Sequence, residues 1–131
     1  MKKVIIGGIL AGLAMVAIVF VIHPLTLDLI AMSPSVMWKP ASPVLLAVYY
    51  FVVGFILAYA YSVLKNSVPG SGIKKGVIFG LLVFLLGMIP GLGITWITMN
   101  IRNKLIFMWL IMGILEYIAA GTVIQIVDEK I

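Results

Sequence analysis

The chain has 131 residues, 64% of them hydrophobic and 10% charged, and its mean hydropathy is +1.29. A soluble domain is roughly 45–50% apolar and about 25% charged, and a fold of this length has no interior large enough to hide the excess, so lipid is expected to solvate much of its surface. Cysteine is absent and the net charge is +5, which excludes disulfides, thiolate metal centres and thiol nucleophiles.

The lysines and arginines fall almost wholly between apolar segments. That placement suits topology and anionic headgroups rather than a nucleic-acid surface.

After the basic start Met1-Lys2-Lys3 comes the first apolar run, VIIGGILAGLAMVAIVFVI, over 4–22. It exceeds the roughly 7–15 residues of a signal-peptide core and no A-x-A site follows, so it reads as a membrane span. His23-Pro24 is expected to end it. In the loop 23–42, PLTLDLIAM is expected to lie along the interface, and Trp38 and Lys39 serve as headgroup-level anchors ahead of Pro40 and Pro43.

The second run, PVLLAVYYFVVGFILAYAYSVL, covers 43–64. KNSVPGSGIKK follows as turn chemistry with a basic flank, placing Lys74 and Lys75 at the headgroups. This glycine-containing loop lacks the G-x-x-x-x-G-K-[ST] order and a preceding strand, so it is not read as a nucleotide site. The third run covers 76–98 and the fourth 105–127.

At about 1.5 Å per residue each run reaches roughly 28–34 Å, enough for a hydrocarbon core of about 30 Å. None alternates as a barrel strand does, so helices are expected. The expected fold is therefore all-α: one membrane domain over 1–131, with four transmembrane helices in an antiparallel bundle. With the N-terminus cytoplasmic, the inner side carries Lys2, Lys3, Lys65, Lys74, Lys75 and Lys130, and the outer side Lys39, Arg102 and Lys104. Six against three predicts both termini on the cytoplasmic side.

Small residues recur at helical spacing: Gly8/Gly12, Gly54/Ala58, Gly76/Gly80 and Gly87/Gly91. In lipid such pairs let backbones approach closely, so they are expected at helix crossings, together with Gly113 and Ala120 on the last helix.

That helix also carries Glu116, whose neighbours three and four residues away include Met112, Gly113, Ala119 and Ala120. The small-residue face should turn the carboxyl inward. Counting outward from the loop near 101–102 sets Glu116 level with Gly87, and Pro90 cannot donate to the Leu86 carbonyl. A protonated Glu116 is therefore expected to donate to Leu86, with Gly87 making room. No lysine, arginine or histidine lies at a comparable depth to neutralise an anion, which favours the neutral form.

The run KGVIFGLLVF at 75–84, IPG at 89–91 and a tryptophan-led last helix reaching AAG at 119–121 resemble small four-helix integral membrane proteins of the domain-of-unknown-function type. The resemblance implies the four-helix architecture and brings no activity with it.

No nucleophile–base pair or carboxylate dyad is visible, so an enzyme is not expected. His23 and Asp28 lack further ligands for a metal, and no cofactor is expected. The expected role is a non-enzymatic structural or accessory subunit of the cytoplasmic (plasma) membrane. It would contact lipid and either self-associate or sit in a larger membrane complex. The alternative is a small oligomeric proton-coupled transporter or channel using Glu116.

Overall fold

In lipid every backbone N–H and C=O must find a partner within its own segment, and the apolar runs accordingly form helices. The computed structural model describes residues 1–31 and 42–131. Helix α1 covers Lys2–Ala31, α2 Pro43–Leu64, α3 Gly72–Val83, α4 Ile89–Thr98 and α5 Asn103–Lys130. A π-helical turn, Phe84–Met88, joins α3 to α4, making Gly72–Thr98 one long helical segment. Among the described residues there is no strand, and four helices are long and apolar enough to cross a membrane. The anchors expected at Trp38 and Lys39 lie outside the described residues.

Two features depart from the sequence reading. His23-Pro24 does not end the first helix; Pro24 sits inside it. A proline removes one helical donor, which a membrane helix tolerates when neighbouring groups re-satisfy the backbone. The donor lost at Pro24 is the one to the Phe20 carbonyl; the buried Thr26 hydroxyl donates to a different carbonyl, that of His23, at 2.7 Å.

The second departure is the π turn before Pro90, where the Ile89 N–H donates to Phe84, five residues back. Such wide turns occur as local interruptions of α-helices, frequently at functional sites.

Helix α1 packs along both α2 and α5, and α3 packs along α5. The core gathers Ala11 and Met15 of α1, Leu57 and Tyr61 of α2, Phe79 of α3 and Ala120 and Ile124 of α5. Glycines set these crossings. A Cβ on Gly54 would lie 2.5 Å from the Gly8 carbonyl oxygen and 2.7 Å from the Gly12 nitrogen. A Cβ on Gly76 would lie 2.6 Å from the Gly121 oxygen, and one on Gly80 would run into the Tyr117 carbonyl.

One end of the bundle is tied by charge. Asp128 accepts from Lys65 at 2.9 and 3.0 Å, while Lys3 donates to the Asp128 carbonyl at 2.5 Å and lies 3.6 Å from its carboxylate. The start of α1 and the ends of α2 and α5 are thus joined. Near the connection of α4 to α5, the Trp96 indole donates to Asn103 at 2.9 Å.

Candidate functional site: a cleft beside Glu116

The face that carries Gly113 and Ala120 turns Glu116 inward, and the residue is 3% exposed. Its carboxylate oxygen accepts from the Tyr50 hydroxyl at 3.4 Å. That is long for an O–H···O bond, whose usual span is about 2.5–3.0 Å. The partner expected from sequence was the Leu86 carbonyl; the observed one comes from α2. Leu86 itself is 79% exposed on the π turn, so the turn that accommodates Pro90 carries this residue toward the surface.

A cleft of about 370 Å³ opens beside the carboxyl. Met15 of α1 lines it, as do Tyr49, Tyr50 and Val53 of α2. Gly87, Met88, Gly91 and Leu92 form the wall from the third segment, and Glu116 and Tyr117 come from α5. The cleft exists because α2 and the third segment meet through the Tyr61–Phe79 ring contact, centroids 5.0 Å apart, without extended backbone packing between them.

Glu116 and Gly87 therefore share one cavity. Gly87 is not, however, the tight contact its spacing suggests: a Cβ there, or on Gly91, would meet nothing within 4 Å. Both glycines are exposed. Their missing side chains widen the cleft instead of closing a crossing. The other packing positions behave differently. Gly8, Gly12, Gly54 and Gly80 stand at close backbone approaches, Gly113 lies against the Met88 and Phe84 side chains, and Ala120 is fully buried.

Pro90 is exposed one turn beyond Gly87. Lys74 and Lys75 stand in the first turn of α3, the former exposed and the latter half-buried.

Sequence reasoning missed the tyrosines as site residues. Tyr49 and Tyr50 meet edge to face with centroids 5.2 Å apart, and Tyr117 lies 6.4 Å from Phe84. Tyrosines in a membrane span suggest interface anchors or interhelix hydrogen bonds, and the packing of α2 against α1 and α5 brings Tyr50 to Glu116. Gly121 was also missed as a crossing residue, although it directly follows Ala120. Among the described residues no group of three or more histidine, aspartate or glutamate side chains gathers as metal ligands.

Among the described residues the fold is thus all-α, with four helices long and apolar enough to cross a bilayer and a cleft between them that Glu116 and three tyrosines line. Comparison with protein-family models, curated proteins and solved structures finds no match.

Proposed function

We propose that the chain is a non-enzymatic structural or accessory subunit of the cytoplasmic membrane, acting through helix packing in the bilayer and associating with a second copy of itself. Its four spans run antiparallel, with both termini on the cytoplasmic side. The observation that carries this reading is helix α4: ten residues long and apolar, it buries none of them within the chain. Ile94, Trp96 and Ile97 are 64%, 57% and 76% exposed. A helix so little used by its own bundle leaves most of its surface for lipid and a neighbour, and in lipid such association rests on close packing.

The orientation is supported by the six-to-three lysine and arginine count. It is also supported by the grouping of Lys3, Lys65 and Asp128 at one end.

A panel of single cysteines, in a chain that otherwise has none, tests both parts. In oxidised native membranes Ile97→Cys is expected to form a disulfide-linked dimer, whereas Leu13→Cys on the exposed face of α1 stays monomeric. An impermeant thiol reagent applied to intact cells should label Met99→Cys and spare Ser71→Cys. Labelling reversed between those two sites overturns the orientation, and equal cross-linking of Ile97→Cys and Leu13→Cys overturns the α4 contact.

A second reading, a proton-coupled transporter or channel, is favoured by the placement of Glu116 on the cleft. Four helices leave little room for a pathway, so it requires an oligomer. It stands or falls on proton-driven flux in proteoliposomes that Glu116→Gln abolishes.

A further inference from the structure

A buried carboxyl group can stay neutral by holding its proton, but to ionise in an apolar bundle it needs a counter-charge or a full set of hydrogen-bond donors. Glu116 is 3% exposed, and the Tyr50 hydroxyl reaches it only at 3.4 Å. No lysine, arginine or histidine lines the adjoining cleft. The residues lining the cleft offer a single acid and nothing basic: α1 contributes Met15, α2 its tyrosines and Val53, and the third segment glycines, Met88 and Leu92. What the site lacks is positive charge.

The walls show what kind of cation fits. Tyr49, Tyr50 and Tyr117 line the cleft with aromatic rings, and the Tyr49 and Tyr50 rings are held at 75° to one another. Rings of this kind attract a cation through their negative faces, most strongly away from water, which is how ammonium groups are recognised in aromatic cages. The volume of about 370 Å³ falls within the range of small-ligand pockets, roughly 300–1,000 Å³. Gly87 and Gly91 keep the cleft clear, since neither has a neighbour within 4 Å of its Cβ position.

We propose that this cleft binds an apolar organic cation, an amine or quaternary ammonium, with Glu116 as its counter-charge and Tyr49, Tyr50 and Tyr117 as its aromatic wall. The cation supplies the charge that the bundle withholds, and its apolar body replaces lipid or water against Met15, Val53 and Leu92. Every residue of the site belongs to one chain, so the proposal goes beyond the subunit reading and does not depend on the α4 contact.

The test is equilibrium binding to the purified full chain in mild detergent, whatever its oligomeric state. The probes are phenyltrimethylammonium and its neutral isostere tert-butylbenzene. The cation is expected to bind saturably and at least about tenfold more tightly than the hydrocarbon. Glu116→Gln should weaken the cation by at least about tenfold while leaving the hydrocarbon unaffected. Gly87→Leu folds into free space and fills the cleft, so saturable cation binding should disappear; this variant decides the matter even if Glu116→Gln is poorly folded. Equal affinity for the two probes, cation binding unchanged in Glu116→Gln, or saturable binding retained by folded Gly87→Leu would each overturn the proposal.

Discussion

Gly80→Leu is expected to abolish the folded bundle, and Gly87→Leu to leave its stability unchanged or slightly raised. Both glycines lie on the third helical segment and both belong to G-x-x-x-G pairs. At Gly80, however, a Cβ would run into the Tyr117 carbonyl and lie 2.9 Å from Ile118 Cα. These are backbone atoms, which no rotamer change can move, so α3 and α5 would have to separate. Separation also breaks the neighbouring contacts of Gly76 and Gly121 across the same crossing.

Overpacking a core typically costs about 1–3 kcal/mol, and a backbone collision at a shared crossing is expected to reach at least about 3 kcal/mol. At Gly87 nothing lies within 4 Å, while leucine is a better helix former than glycine by somewhat under about 1 kcal/mol. Thermal unfolding of the two variants in one detergent, followed by circular dichroism, measures the contrast. Equal losses in both would mean that the close crossing is misplaced.

The second large effect is expected for Glu116→Lys. The side chain sits 3% exposed, and the acid that pairs with Lys3 and Lys65, Asp128, belongs to the far end of α5, three turns away. An ammonium group at this position has no carboxylate to meet, and an uncompensated buried charge costs roughly 3–5 kcal/mol. Glu116→Gln retains an oxygen that accepts from Tyr50 and should change stability by less than about 1 kcal/mol, the net scale of one hydrogen bond. Denaturant titration in mixed micelles separates the two. If lysine were tolerated as well as glutamine, the buried position of residue 116 would be wrong.

These contrasts mark where the sequence was legible. Four helices followed from the length of the apolar runs, because lipid leaves the backbone no other way to satisfy itself. The inward turn of Glu116 could be read from Gly113 and Ala120 on the same helix, since i±3 and i±4 neighbours share a face. The Tyr50 partner could not, because it lies 66 positions away on a helix whose rotation is fixed by packing on α1.

Spacing alone could not tell Gly76/Gly80 from Gly87/Gly91. Both pairs present a small face, and only what lies opposite decides whether that face closes a crossing or opens a cavity. Asp128 reads as a tail residue, yet it pairs with cations 63 and 125 positions earlier. Pro24 looked like a helix end because proline breaks helices locally, yet a membrane helix can run on through one, as α1 does here.

The central claim is that α4, none of whose residues is fully buried in its own chain, meets a second copy in the bilayer. Native mass spectrometry of the full chain, released from mild detergent at several concentrations, tests it most directly. The expected spectrum shows two or more copies of the 14.2 kDa chain with lipid attached. A spectrum of single copies at every concentration would contradict it.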